Sequence, residues 1–168
     1  SVTSIGVEAF KSATNLTTVT FDGVSTLETI GDNAFRYATA LTSITIPKSV
    51  QTIGTTAFHG GQSLSSINVD PSNNNYSDVS GVLFNKAKTS LIKYPEGKDD
   101  TTYNIPNSVT SIFDNAFINS DISEVYAYPT LISMYNWIVY NTNIIGDKEG
   151  INVIETSIYD IVLSSNTV

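Results

Sequence analysis

The sequence predicts an α/β (β-rich) solenoid with parallel strands, short helical turns, a β-hairpin island and a C-terminal cap. Three observations predict it: an Ala-Phe pair recurs along the chain, an isoleucine precedes each pair at a constant offset, and an alternating apolar segment follows each pair. Recurrence at a short period is typical of repeat architectures. A single unit is too small to bury its own apolar residues, so successive units must stack on one another.

The Ala-Phe pair is the most regular element of the unit. The four copies are Ala9-Phe10, Ala34-Phe35, Ala57-Phe58 and Ala116-Phe117. The preceding isoleucines are Ile5, Ile30, Ile53 and Ile112. The segment around each pair is too short for a full amphipathic helix, so we interpret it as one or two helical turns. We expect the four phenylalanines to form one continuous buried column.

Glycine follows three of these isoleucines, at Gly6, Gly31 and Gly54. Glycine is favoured where the backbone has a positive φ or where another part of the chain passes close by. Both explanations are open at the level of the sequence.

The alternating segment is interpreted as a strand with one buried face, because apolar residues alternate with Thr and Ser. We expect one continuous parallel stack formed by residues 16–21, 41–46, 64–69, 103–105 and 122–127. The outward side chains are the candidate ligand face: Thr18, Thr20, Ser43, Thr45, Ser66, Asn68, Glu124, Tyr126 and Tyr128. Solenoids bind partners on such surfaces. The alternative is that Thr and Ser are simply well suited to exposed strands.

An island interrupts the repeat at about residues 70–102. It opens with a turn-rich run, and the apolar groups Val82-Leu83-Phe84 and Leu91-Ile92 predict a β-hairpin. After the island the repeat resumes in register, since Pro47 to Pro106 and Phe58 to Phe117 span the same number of residues. We therefore assign residues 1–128 to one solenoid domain.

Residues 129–168 are predicted to form a C-terminal cap or an atypical final repeat, which closes the apolar end of the stack. A helix is predicted after Pro129, because apolar residues recur at helical spacing: Leu131, Met134, Tyr135 and Ile138. We interpret Trp137 and the tyrosines around it as cap packing, with ligand contact as the alternative. Residues 154–163 are predicted to form one or two strands.

The unit LTSITIPKSVQTIGTTAFHG at residues 41–60 resembles the BspA-like (Treponema pallidum type) leucine-rich repeats. The island and the stretch EVYAYPTLISMYNW at residues 124–137 resemble segments of the same family. The cysteine that often follows Ala-Phe in that family is absent. The resemblance implies a curved leucine-rich-repeat solenoid in a secreted or cell-surface protein, of a kind typical of bacteria and some protists and often adhesive.

Composition excludes several functions. The net charge of −8 and pI near 4.3 argue against nucleic-acid partners, which require clustered Lys and Arg. The absence of cysteine excludes disulfides, thiolate metal sites and Cys nucleophiles. No apolar run reaches the roughly 20 residues of a membrane span, so we expect no membrane insertion in this fragment. The chain begins within a repeat and is interpreted as part of a longer protein.

The sequence contains few candidates for catalytic or metal-binding residues. His59 is the sole histidine and occupies the repeat position of Lys11 and Arg36, so we interpret it as an exposed surface residue rather than part of a catalytic triad. The carboxylates of residues 96–100 are interpreted as a solvated loop; a calcium loop and a glycosidase acid/base pair are the alternatives. We expect no catalytic, cofactor-binding or metal-binding residues.

These features predict a non-enzymatic cell-surface or secreted adhesion module. Its partner would be a protein or glycan on a host or neighbouring cell, bound through the strand face without a cofactor. The alternative is a structural spacer or scaffold domain of a larger surface protein that has no ligand of its own.

Overall fold

A computed structural model describes residues 2–127, 133–134 and 143–146. These residues form thirteen short strands and no helix. The strands are β1 Ser4–Ile5, β2 Thr29–Ile30, β3 Ser43–Ile46, β4 Thr52–Ile53, β5 Ser66–Val69, β6 Tyr76–Val79, β7 Val82–Asn85, β8 Ser90–Lys93, β9 Thr102–Asn104, β10 Ser111–Ile112, β11 Glu124–Ala127, β12 Ser133–Met134 and β13 Asn143–Gly146.

The described chain winds into stacked coils, and five of them each place one aromatic ring toward the inside of the solenoid. We name these coils by their rings: Phe10, Phe35, Phe58, Tyr94 and Phe117. Neighbouring rings stack at centroid distances of 5.3 Å (Phe10 and Phe35), 5.8 Å (Phe35 and Phe58) and 5.4 Å (Tyr94 and Phe117).

The isoleucines that precede the first three Ala-Phe pairs lie in a parallel sheet of their own, formed by β1, β2 and β4, whereas Ile112 lies in β10 of another sheet. Ile5 pairs with Ile30, and Ile30 pairs with Ile53. The sequence identified these residues as anchors but did not predict that they are strands. The Phe35 and Phe58 coils therefore each contribute two strand segments, one at the isoleucine and one after the Ala-Phe turn.

The segment around each Ala-Phe pair is a double turn, so the helical turns expected from the sequence are not present among the described residues. In the Phe35 coil, the Ala34 N–H bonds to the Gly31 carbonyl and the Ala38 N–H to the Phe35 carbonyl. The third residue of each turn, Asn33 or Tyr37, has a positive φ. That conformation is typical of a type II turn and ends any right-handed helix.

Alternate N–H groups of the double turn bond along the solenoid axis instead of within the segment. Phe35 donates to the Ala57 carbonyl and Tyr37 to the His59 carbonyl, both at 2.8 Å. In a helix these donors would bond to carbonyls of their own segment. Stacking of one coil on the next thus decides the local backbone conformation.

The glycines after the isoleucines permit close contact between coils. A Cβ atom on Gly31 would lie 2.7 Å from the Val7 nitrogen, and one on Gly54 would lie 2.5 Å from the Asp32 nitrogen. Neither glycine has a positive φ. Of the two explanations open from the sequence, close passage of the neighbouring coil is therefore correct at these positions.

We predict that Gly31→Ala lowers the free energy of unfolding by about 1–3 kcal/mol, because the new methyl group overlaps backbone atoms of the preceding coil. Gly6→Ala is the matched control: it has the same place in the repeat, but a Cβ there meets nothing within 4 Å. The control should change stability by less than about 0.5 kcal/mol. Urea unfolding of both variants tests this, and equal losses would contradict the close-contact interpretation.

The strands after the Ala-Phe turns form two sheets, so the expected single stack is wrong. β3 pairs with β5, with a bridge from Thr18 to Ser43, whereas β9, β11 and β13 form a separate parallel sheet. Residues 16–21 contain no strand beyond that bridge. The island lies between the two sheets along the chain.

The predicted hairpin is confirmed as the antiparallel pair β7 and β8. The island also contains β6, which pairs antiparallel with β7 within the run that the sequence suggested was only turns. β8 then pairs in parallel with β10, matching Leu91 to Ile112. Leu91 thus takes the place of the repeat isoleucine, and the island contributes a coil to the solenoid.

The buried residues form two clusters that meet at β7. Leu83 belongs to the first cluster, with Phe35 and Phe58, whereas Val82 and Phe84 belong to the second. Because side chains alternate across a strand, β7 separates the two clusters and packs against one on each of its faces. The second cluster contains Phe117, so the expected continuous column of four phenylalanines is wrong. Phe10 also differs from that expectation, since it is 41% exposed.

Two described pairs continue the stack beyond residue 128. β12 pairs with β10 through Ser111↔Ser133 and Ile112↔Met134, and β13 pairs with β11. The predicted helix is therefore wrong at Ser133–Met134. The rest of that helix, Trp137 and the strands expected at 154–163 lie outside the described residues, and the domain boundary at residue 128 stays a prediction.

Candidate strand-face binding site

The first strand face is formed by the outward side chains of β3, β5 and the neighbouring segment at Thr18. The pairing places Thr18 beside Ser43, Ser43 beside Ser66, and Thr45 beside Asn68. The exposed members of this face are Thr18, Thr20, Ser43, Thr45 and Asn68, and Ser66 is half-buried. We call these six residues the N-terminal strand face.

Alternation explains why these side chains face solvent. Ile44, Ile46 and Ile67 are buried on the opposite side of the same strands. Because successive side chains point to opposite sides of a strand, the intervening residues must point outward. The sequence predicted this orientation correctly for the N-terminal strand face.

One contact orders part of this face. The Ser66 hydroxyl donates to the Asn68 Oδ1 atom at 2.8 Å. The amide nitrogen of Asn68 makes no hydrogen bond within the described part of the chain. The face therefore presents hydroxyl groups and one carboxamide donor on the paired strands.

The island closes one edge of this face. The Ile67 N–H donates to the Gly81 carbonyl at 2.9 Å, and the Val69 N–H donates to Asp78 Oδ1 at 2.9 Å. Gly81 lies so close to Ser66 that a Cβ atom there would be 2.5 Å from the Ser66 Oγ atom. The turn between β6 and β7 thus covers the edge of β5.

Two of the remaining predicted face residues belong to the other sheet. Glu124 pairs with Thr102, and Tyr126, which is half-buried, pairs with Asn104. Tyr128 lies outside the described residues. The structure therefore does not place all nine predicted residues on one continuous sheet.

Thr102 and Asn104 are exposed and were missed as candidates. The signal was available: both residues alternate with Tyr103 and the buried Ile105, as the other face residues alternate with isoleucines.

A buried polar junction, also missed from the sequence, lies around Glu96. Its Oε1 atom accepts hydrogen bonds from the Gly60 N–H and the Lys93 Nζ atom, each at 2.9 Å, and its Oε2 atom accepts one from Asn119 Nδ2 at 3.2 Å. Glu96 is 4% exposed. The expectation of a solvated loop is therefore wrong at this residue.

His59 borders the junction. Its Nδ1 atom is 4.0 Å from Glu96 Oε1, its ring contacts the edge of Tyr37, and 17% of its side chain is exposed. The interpretation of His59 as an exposed surface residue is therefore wrong. Lys93 and Glu96 belong to the island. The island packs on the Phe58 coil and so places both residues beside His59.

Burial is the main influence on charge at the junction. Burial lowers the pKa of Lys93, and the Glu96 carboxylate partly opposes that change. Burial also lowers the pKa of His59; Glu96 raises it, and the positive charges of Lys93 and Arg36 lower it further.

The junction does not have the form of an active site. The cavity lined by His59, Lys93 and Asn115 has a volume of about 10 Å³, which is about the space of one water molecule. Within the described ranges, no three His, Asp or Glu side chains are grouped so that they could hold a metal ion. Its contacts are those of a structural ion pair.

In the acidic loop after Glu96, the Asp100 carboxylate binds a different partner from that of Glu96. Asp100 accepts a hydrogen bond from the Tyr94 hydroxyl at 2.7 Å, which lowers the pKa of Asp100. Burial, followed by this hydrogen bond, raises the pKa of Tyr94. Asp100 thus ties the loop to Tyr94 in the second core cluster, whereas Glu96 also contacts Gly60 in the Phe58 coil.

Among residues 2–127 and the two described strands beyond them, no helix is long and apolar enough to cross a membrane.

Comparison with known proteins identifies the repeat. The sequence model of the BspA type leucine rich repeat region matches residues 1–99 and 97–162, in six copies. No protein with a curated description matches the chain.

The chain is similar to several solved structures. A leucine rich cell surface protein from Faecalibacterium prausnitzii A2-165 is 31% identical with a TM-score of 0.66, over 86% of this chain and 35% of that one. The pneumococcal vaccine antigen PcpA is 29% identical with a TM-score of 0.53, over 64% of this chain and 29% of that one. The chain thus spans about a third of the length of these proteins. The repeats, the parallel stacking and the match across most of the sequence show that the chain belongs to the BspA type leucine-rich repeat family.

Proposed function

We propose that this chain is a non-enzymatic interaction module of a cell-surface or secreted protein, and that it binds a protein or glycan through the N-terminal strand face. The observation that carries the proposal is the row of small polar side chains held in register on β3 and β5. Solenoids use such extended surfaces for binding.

The shape of the face indicates the kind of partner. Its side chains are short, and four of the six lie on the paired strands β3 and β5, so few rotamers need to be fixed when a partner binds. The face is a sheet surface rather than a cleft that would enclose a small molecule. An extended partner, such as a protein surface or an oligosaccharide chain, fits it best.

The neighbouring structures support an extracellular location. One is described as a leucine rich cell surface protein and the other as a vaccine antigen. We propose the same location for the protein that contains this chain. Glu124 and Tyr126, with Thr102 and Asn104, are proposed as a second contact patch on the other sheet, and Tyr128 stays a predicted contact residue.

We predict that Thr45→Lys weakens binding at least about tenfold, because a long charged side chain would stand in the centre of the face and repel a fitted partner. The measurement is half-maximal binding of the labelled chain to a glycan array and to intact epithelial cells. Thr52→Lys is the matched control, since Thr52 is also an exposed strand threonine but lies on β4, in the isoleucine sheet.

Equal weakening by both lysine variants would contradict binding through the strand face. An absence of saturable binding by the unmodified chain would favour the spacer alternative. Turnover of a glycan or peptide by the chain would contradict both readings.

A further inference from the structure

The junction around Glu96 joins three coils through one carboxylate. Gly60 belongs to the Phe58 coil, Lys93 to the Tyr94 coil and Asn119 to the Phe117 coil. All three donate to Glu96 at distances from 2.9 to 3.2 Å. The first of these coils packs in one core cluster and the other two pack in the second cluster. Glu96 therefore connects the two halves of the solenoid.

The carboxylate replaces a backbone hydrogen bond of the regular repeat. In the Phe35 coil, the N–H of Tyr37 donates to the His59 carbonyl of the next coil. Gly60 has the same place in its own coil and the same left-handed backbone, with φ 75°. Its N–H donates to the Glu96 side chain instead. A contact that is independent of pH elsewhere in the stack depends on a charged group here.

Besides Tyr37, three charged or titratable groups face His59 from the segments packed around it. They are Glu96, Lys93 and Arg36. Tyr37 contacts the imidazole edge-on at a centroid distance of 5.7 Å. A proton on His59 would place a third positive charge beside Lys93 and Arg36. It would also compete with Lys93 and Gly60 for the Glu96 Oε1 atom.

We propose that His59 makes this junction acid-sensitive: its protonation in mildly acidic solution weakens the hydrogen bond from Gly60 to Glu96 and loosens the contact between the two halves of the solenoid. The device needs no ligand, and it is independent of whether the strand face binds a partner. It would act wherever the surroundings become mildly acidic.

The direction of the pH effect follows from burial. Burial lowers the pKa of His59 below its ordinary value of 6.5 in the folded chain. The folded state therefore favours the neutral imidazole, and the unfolded state binds the proton more readily. The stability that depends on neutral His59 is complete above about pH 6.5 and is lost as the pH falls below it.

Hydrogen exchange of the intact chain, followed by NMR at pH 7.5 and 5.0 and corrected for intrinsic exchange rates, tests the proposal. The Gly60 amide reports the junction, and the Gly31 amide, which bonds to the Ile5 carbonyl, is the distant reference. We expect protection of Gly60 to fall about threefold or more relative to Gly31 at pH 5.0. His59→Gln, which is neutral at both pH values, should abolish that relative loss.

An equal relative loss in the wild-type chain and in His59→Gln would overturn the proposal. A direct titration of the His59 imidazole by NMR in the wild-type chain provides a second test that needs no variant. A midpoint at or above pH 6.5 would also overturn the proposal, whereas a lower midpoint coupled to a shift of the Gly60 amide resonance would support it.

Discussion

Replacement of Phe35 by alanine should lower the free energy of unfolding by about 3–5 kcal/mol, the usual range for loss of a buried phenylalanine. The ring is fully buried and stacks between Phe10 and Phe58, at 5.3 and 5.8 Å. Its removal would leave a cavity between two parallel rings, which the backbone bonds between coils prevent from closing. Urea unfolding followed by circular dichroism measures the loss.

Phe10→Ala is the control for this prediction. Phe10 has the same place in the repeat, but it is 41% exposed and stacks on Phe35 alone. Truncation there creates no enclosed cavity, so the loss should be about 1–2 kcal/mol. A loss below about 1 kcal/mol for Phe35→Ala, or equal losses for the two variants, would show that the ring column is not a principal source of stability.

The repeat could be predicted because its signals are local. Ile44 and Ile46 alternate with Ser43 and Thr45, and this alternation alone defines which side of the strand is buried. The short segment around Ala34-Phe35 was harder to predict. Its N–H groups bond to the next coil rather than within the segment, and no local pattern distinguishes such a double turn from a helical turn.

The coil inside the island was not predicted, because the spacing between its aliphatic and aromatic residues differs from that of the repeat. Tyr94 takes the place of the repeat phenylalanine: its N–H donates to the Ala116 carbonyl as the Phe35 N–H donates to the Ala57 carbonyl. However, Tyr94 follows Leu91 more closely than each phenylalanine follows its isoleucine. Alignment on Ala-Phe therefore misses this coil and joins Phe58 to Phe117 as if they were neighbours.

The candidate site was predicted only in part, because local alternation can be read from the sequence and contacts between distant residues cannot. The outward orientation of Thr18, Thr45 and Asn68 follows from alternation, but the edge of their face depends on the contact of Gly81 with Ser66, which is distant in sequence. The buried position of Glu96 could not be predicted from the sequence either. It depends on donors from Gly60 and Asn119, which only the folded solenoid brings together.

Glu96→Ala should lower the free energy of unfolding by about 3–5 kcal/mol, the range for breaking a buried ion pair from one side. The change would leave the Lys93 ammonium buried without its carboxylate and would leave the Gly60 N–H and Asn119 Nδ2 without their acceptor. Denaturant unfolding at pH 7 measures the loss. A loss below about 1 kcal/mol would show that water or another group replaces the carboxylate at little cost.

The double variant Lys93→Met/Glu96→Leu separates the buried charge from the lost hydrogen bonds. Since it contains neither charge, it should be more stable than Glu96→Ala by about 1–3 kcal/mol.

The pH dependence of stability also distinguishes the cost of the unpaired ammonium from that of the lost hydrogen bonds. Burial already lowers the pKa of Lys93, and without Glu96 that pKa falls further. The deficit of Glu96→Ala should therefore shrink as the pH rises and Lys93 loses its proton, whereas the deficit of the double variant should not. Parallel pH profiles for the two variants would mean that the unpaired ammonium contributes little to the loss.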